Sequence, residues 1–225
     1  MEYCYQTSWG MTTRVIGGII MTHGDDRGLK LPPKIAPIQV VIVPIAQHKE
    51  GLLEKVEELK EKLSCKFSVE ADIKSEVSPG YKFNYWELRG IPVRIEIGPK
   101  DIENRECIVF RRDTLEKETI KLENLEERLE SLMVEIQDNM FKMAKENVEK
   151  HTFVARSLDE YINIFKEKQG YIKMMWCGCQ ECEDKIKEEV SSTIRCIPFN
   201  EEKLDTKCAI CGKEAKHMVY TARQY

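Results

Sequence analysis

The chemistry written most plainly into this chain is that of thiolates. Nine cysteines occur in 225 residues, and most of them crowd between Cys177 and Cys211. WCGCQEC supplies Cys177, Cys179 and Cys182, KCAICGK supplies Cys208 and Cys211, and Cys196 lies between. Two thiolate pairs flanking a short stretch suit a closed tetrahedral zinc site, where four sulfurs leave no vacancy and the ion acts as a structural cross-link. The second pair is a clean C-x-x-C with Gly212 behind it. In the first, Cys182 can be joined by either Cys177 or Cys179, and spacing leaves both open. Disulfides suit the cluster less well, because MEYCYQTSWG has no basic stretch followed by an apolar one and does not read as a secretory leader.

A second pattern lies near the beginning. Gly10 stands four residues ahead of Arg14, which opens an apolar helix-like segment around Val15 to Met21. A guanidinium there can meet a triphosphate, and the glycine lets a nucleotide approach the backbone. The neighbouring His23, Asp25, Asp26 and Arg27 are acid–base residue types. They read as a structural turn with local ion pairs and no catalytic role.

These groups need a scaffold, and hydrophobic periodicity outlines one. LPPKIAP, with Pro32, Pro33 and Pro37, reads as an extended linker and a domain boundary. Ile38–Pro44 is a β-branched run expected to be a strand buried on both faces. Leu52, Leu53, Val56, Leu59 and Leu63 recur at helical spacing. KFSVEAD is a second strand. Pro79 opens a helix that Gly90 can close. In PVRIEIG, Val93, Ile95 and Ile97 alternate with Arg94 and Glu96, predicting a strand with one polar face. ECIVFRRD and ETIKL follow as strands. The order β-α-β-α-β-β implies a small α/β domain with a mixed sheet. Leu122, Leu125, Leu129, Leu132, Ile136, Met140, Met143 and Val148 form the stripe of a long helix packed on that sheet. Ser157 and Glu160 form a capping box for a further helix. The cysteine-rich remainder is short enough to benefit from a metal staple.

Composition narrows the functional classes. Lys plus Arg is 35 against 39 Asp plus Glu, a net charge of −4, so any nucleic-acid contact must come from a local patch. Hydrophobic residues are 42% and charged residues 33%, enough for a core. No run approaches the roughly 20 apolar residues of a membrane span.

The stretch TSWGMTTRVIGGIIMTHGDDRGLKLPPKIAPIQVVIVPI resembles prolyl-tRNA synthetases of the archaeal and eukaryotic type, class II aminoacyl-tRNA synthetases. The resemblance continues through SPGYKFNYWELRGIPVRIEIGPKD and the cysteine-rich tail to the last residue. It implies three parts: residues 1–36 as the end of a class II catalytic domain around motif 3, residues 37–150 as a class II anticodon-binding α/β domain, and residues 151–225 as a small α+β zinc-binding domain. Arg14 would contact the ATP phosphates, with Thr12 and Thr13 lining the junction of the adenylate and 3′-end pockets. Ser8, Trp9 and Gly10 would wall the proline pocket. Phe83, Glu87, Arg94 and Lys100 match positions that read anticodon bases. Lys82, Arg89, Lys100, Arg111 and Arg112 are then candidates for a phosphate-binding patch. The resemblance selects Cys177, Cys182, Cys208 and Cys211 for zinc. It also implies that the Tyr225 carboxylate tucks back as a clasp.

The implied parent reaction ligates proline to its tRNA through prolyl-adenylate, with ATP and Mg²⁺, in a cytoplasmic homodimer that binds proline tRNA and no membrane. It relies on positioning and charge neutralisation, with no catalytic side-chain nucleophile. Motifs 1 and 2 of such enzymes are not among these residues, so the chain alone is expected to form no adenylate. Two rival expectations remain: a non-catalytic tRNA-binding paralogue that kept the anticodon domain, and a zinc-ribbon module that binds a protein partner.

Overall fold

The described residues of the computed structural model, 4–49 and 51–223, divide after Ala144 into two units. In the first, α1 (Arg14–His23) has no buried residue, and Val15, Ile16, Ile20 and Met21 all face solvent. A five-stranded sheet follows. It comprises β1 (Val40–Pro44), β2 (Val69–Ala71), β3 (Val93–Ile97), β4 (Glu106–Arg111) and β5 (Lys117–Lys121), in the order β2-β1-β3-β4-β5. β1 is parallel to both neighbours, while β3, β4 and β5 are antiparallel, so the sheet is mixed as expected.

Strand alternation divides the core in two. Val40, Ile42, Val93, Ile95, Ile97, Cys107 and Val109 pack on one face. They meet Leu52, Val56 and Leu63 of α2 (Leu52–Ser64), and Leu125, Leu129, Leu132, Met133, Ile136 and Met140 of α5 (Leu125–Lys150). Each large aliphatic buried there contributes about 1.5–3 kcal/mol. Val41 and Val43 face the other way, beneath α3 (Pro79–Leu88), with Trp86 and Ile91. α3 starts where expected: Pro79 occupies the first turn and the Tyr81 N–H donates to Ser78 Oγ at 3.3 Å.

The structure adds to or departs from the expectations at four points. β3 has no solvated polar face: it is central and all five residues are buried, because α3 covers the side bearing Arg94 and Glu96. The proline stretch, expected to be an extended linker, is anchored. Pro32 and Pro33 are buried, and the Pro33 carbonyl accepts from Gln39 Nε2 at 3.1 Å. The long helix begins at Leu125, three residues late, and Met143 and Val148 of its expected stripe are exposed. A short α4 (Pro99–Glu103), unmarked by periodicity, follows β3.

The second unit holds β6 (Thr152–Val154), α6 (Leu158–Glu167), β7 (Tyr171–Trp176), α7 (Gln180–Val190), β8 (Ser192–Cys196) and β9 (His217–Arg223). Its four-stranded sheet runs β6-β7-β9-β8. Tyr161, Phe165, Ile172, Met174, Ile186, Val190 and Val219 form the core, and three cysteines close one end of it. Ser157 Oγ accepts from Glu160 N–H at 3.2 Å, as the capping box requires. The Glu160 carboxylate reaches back one residue further, to the Arg156 N–H at 2.8 Å. No helix among the described residues is long and apolar enough to cross a membrane. Tyr225, the expected clasp, lies outside the described residues.

Candidate functional site: an arginine hub and a four-thiol cluster

The face of the sheet beneath α3 is built around Arg94. Register places Arg94 on β3 opposite Phe110 on β4, and α3 brings Phe83 above them. The guanidinium lies 4.1 Å from the centroid of each ring. Its donors are used internally: Nε and Nη2 donate to Glu96 Oε1 at 3.2 and 2.9 Å, and Nη1 donates to Glu87 Oε1 at 2.9 Å. Lys117 on β5 completes the pairing of Glu96 at 2.8 Å. A planar, permanently charged fork suits this geometry, since it can stack on two rings while binding two carboxylates.

Of the two carboxylates that Arg94 binds, Glu87 is the less buried, with a side chain 12% exposed against 4% for Glu96. An open cleft of about 440 Å³ lies beside it, lined by Arg27, Asn84, Glu87 and Leu88. Arg27 Nη1 stands 3.6 Å from Glu87 Oε2. The Glu87 carbonyl accepts from Arg112 Nε at 3.1 Å.

The structure therefore brings Phe83, Glu87 and Arg94 into one cluster. Lys100 stands exposed on α4, beyond the end of β3. Sequence reasoning missed Glu96, Phe110, Lys117 and Arg27 as members of the cluster. Alternation marked Glu96 as sharing a face with Arg94, but the others depend on strand register and tertiary packing.

The expected phosphate patch is corrected at two positions. Lys82 is buried, with Nζ donating to the Asp72 carbonyl at 2.6 Å and to Gln47 Oε1 at 3.3 Å. Arg112 is buried too, gripping Asp25 through both terminal nitrogens at 2.9 and 2.6 Å. Neither can be spared for phosphate. Arg111 is engaged by Asp113 and Glu135, whereas Arg89 is exposed with its guanidinium 4.1 Å over the Tyr85 ring. The Arg112 hydrogen bonds hold the Asp25 carboxyl well below the usual carboxylate range, against an opposing push from burial. The turn around Asp25 is structural, as expected, but its main ion pair is long-range rather than local.

Near the beginning, Ser8, Trp9, Gly10, Thr12, Thr13 and Arg14 are all exposed. Trp9 is 92% exposed. Nothing in the described residues covers them.

In the second unit, Cys177 ends β7, Cys182 lies in the first turn of α7, and Cys208 and Cys211 flank a turn ahead of β9. Their four sulfurs lie within 4.8 Å of one another, so the cluster could hold a metal ion. Cys177 Sγ is 3.7 Å from both Cys182 Sγ and Cys211 Sγ. The turn is fixed by Gly212 N–H donating to the Cys208 carbonyl at 2.9 Å and Cys208 N–H donating to the Lys213 carbonyl at 2.8 Å. Cys179 stays outside: its sulfur faces Glu181 at 4.0 Å. Cys196 is exposed on β8. Burial pushes the Cys177 and Cys182 thiols up, whereas the Lys213 N–H holds Cys211 down to about 7.

Comparison with known proteins follows the same division. The family described as "Prolyl-tRNA synthetase, C-terminal" matches residues 158–225, and "Anticodon binding domain" matches residues 39–132. A proline–tRNA ligase of Alkaliphilus oremlandii is 53% identical over all 225 residues, which cover 47% of that protein. One of Clostridium novyi is 52% identical over the same span and share. A "Proline–tRNA ligase 2" of Clostridioides difficile is 52% identical over 222 residues, 98% of this chain and 46% of the relative. The chain thus matches prolyl-tRNA synthetases along its whole length. It spans about half the length of the curated relatives it matches. The arginine hub falls inside the anticodon-binding match, and all four clustered cysteines fall inside the prolyl-tRNA synthetase match.

Proposed function

We propose that this chain is the anticodon-reading part of a proline–tRNA ligase. The observation that carries the reading is the Glu87 carboxylate, fixed by Arg94 at 2.9 Å at the edge of a cleft, beside the partly buried Phe83. Single-stranded bases are recognised by aromatic stacking and by hydrogen bonds along their edges. Proline anticodons contain adjacent guanines, and the Watson–Crick edge of guanine offers two donors to a carboxylate. In this reading Glu87 accepts from guanine, Phe83 supplies a stacking surface, and Lys100 meets the loop from α4. Arg94 is buried and committed, so its part is to hold Glu87 and Phe83 in place. Arg89 and Lys100 are the exposed cations left for phosphate.

Zn²⁺ fits the thiol cluster. A tetrahedral site with Zn–S near 2.3 Å puts sulfurs about 3.8 Å apart, close to the observed 3.7 Å. Cys177, Cys182, Cys208 and Cys211 would hold it, and the ion would tie β7, α7 and the turn before β9 together. Arg14, Thr12 and Thr13 are assigned to ATP, and Ser8, Trp9 and Gly10 to proline. Their exposure is what a surface completed by further synthetase residues would show. The intact enzyme would act as a cytoplasmic homodimer, using ATP and Mg²⁺ to activate proline before transfer to tRNA.

The test is binding of this chain to a proline-accepting tRNA and to a copy with both anticodon guanines replaced, at two salt concentrations. Phosphate contacts alone give salt-sensitive binding that ignores base identity. Preference for the intact anticodon at both salts is expected. Equal binding of both tRNAs would overturn the reading.

A further inference from the structure

Residues 24–31 lie outside the segment that matches an anticodon-binding domain, yet they are built into the back of the proposed reader. Leu29 N–H donates to the Leu88 carbonyl, and Leu31 N–H to the Gly90 carbonyl, both at 3.0 Å. Two glycines make this approach possible. A Cβ on Gly28 (φ +124°) would lie 2.6 Å from Leu88 Cα, and one on Gly90 (φ +74°) would lie 2.6 Å from Leu29 Cβ. Asp25 locks the strap to Arg112, whose Nε holds the Glu87 carbonyl. Lys30 adds a further pair to Asp25 at 3.0 Å.

This strap carries Arg27 to the free side of Glu87. We propose that Arg27 is a positioning residue of the anticodon reader, orienting the Glu87 carboxylate so that it accepts from guanine and not from adenine. The inference rests on the tRNA reading above. A carboxylate has about four acceptor positions, two on each oxygen. Arg94 takes one on Oε1, and Arg27 sits against Oε2 at 3.6 Å. Acceptor positions remain on both oxygens for the N1–H and N2–H donors of guanine. Adenine presents an acceptor at N1 and loses the match. With Arg94 alone the group is held at one oxygen and can swing; the second cation fixes its plane. The two cations also differ in mobility. Arg94 is locked between rings with a 5% exposed side chain, whereas the Arg27 side chain is 59% exposed and can adjust as a base enters the cleft. Asp25 and Arg112 serve Arg27 by anchoring the strap.

The experiment compares the unaltered chain, Arg27→Ala and Arg27→Lys. Each is titrated with proline-accepting tRNA and with two copies in which one anticodon guanine is replaced by adenine. Arg27→Ala is expected to lower the guanine-over-adenine preference at one position by roughly threefold or more, the worth of a solvent-facing ion pair. Binding of the copy altered at that position should change little, and Arg27→Lys should restore part of the preference. Because Arg27 is exposed, both variants should melt like the parent. An equal loss of affinity for all three tRNAs would mark Arg27 as a phosphate contact and overturn the proposal, as would an unchanged preference. If the unaltered chain shows no preference, the tRNA reading itself fails, and that arm identifies the failure.

Discussion

Replacing Arg94 with leucine removes the cation that joins Phe83 and Phe110 to Glu87 and Glu96. Glu96 is 3% exposed and would keep only Lys117 as a charged partner, and the space between Phe83 and Phe110 would be refilled imperfectly. Breaking a buried pair from one side costs about 3–5 kcal/mol, and losing the ring contacts adds about 1 kcal/mol. A loss of about 4–6 kcal/mol is a large part of the 5–15 kcal/mol that holds an ordinary domain together. Arg94→Lys should recover less than half of it, because an ammonium can neither stack flat nor fork between Glu87 and Glu96. The double variant Arg94→Leu/Glu96→Leu should be more stable than Arg94→Leu, since it removes the more deeply buried of the two carboxylates that Arg94 pairs. Native-state hydrogen exchange of β3 and β4 amides, read in increasing urea, measures these differences directly. An Arg94→Leu cost under about 1 kcal/mol, or a double variant weaker than the single one, would refute the reasoning.

Three further outcomes follow from other parts of the molecule. Chelation at neutral pH, or Cys208→Ser, should unfold residues 145–225 while exchange protection in β1 and β3 is unchanged; purified protein with no bound zinc would contradict this. Acidification should weaken the first unit. Asp25 titrates below its ordinary value when folded, so its stabilisation is complete above about pH 4 and is lost as pH falls toward the folded value. Asp25→Asn should flatten that dependence in acid melts. Tyr161→Phe should cost the second unit about 1–3 kcal/mol in thermal melts. Thr221 Oγ1 donates to the Ile172 carbonyl at 3.1 Å, so the Tyr161 hydroxyl donates to Thr221 at 2.9 Å and accepts from buried Ser192 at 2.7 Å.

Much of the scaffold was legible because local signals agreed with burial. The unbroken Val40–Val43 run is a strand covered on both faces. The Ser78-Pro79 start and the Gly90 stop bracket α3. Of the apolar positions read as the stripe of α2, Leu52, Val56 and Leu63 are buried, whereas Leu53 is exposed. What escaped depends on partners distant in sequence. Arg112 looked like a surface cation until Asp25, 87 residues away, was placed against it. Lys82 looked the same until the Asp72 carbonyl met it. Arg94 and Glu96 read as a polar face, and became interior only because α3 and the β4–β5 pair enclose them. For the thiols, spacing could not choose between Cys177 and Cys179; the turn into α7 points Cys179 away toward Glu181.

The most direct test of the central claim is the affinity of this chain and of Glu87→Gln for anticodon stem-loops carrying guanine or adenine at the position Glu87 is proposed to read. The account predicts that the parent prefers guanine by about tenfold or more, the worth of one well-made two-point base contact. It also predicts that Glu87→Gln, which turns one acceptor into a donor, loses most of that preference while phosphate-driven binding persists. An unchanged preference in Glu87→Gln would contradict it.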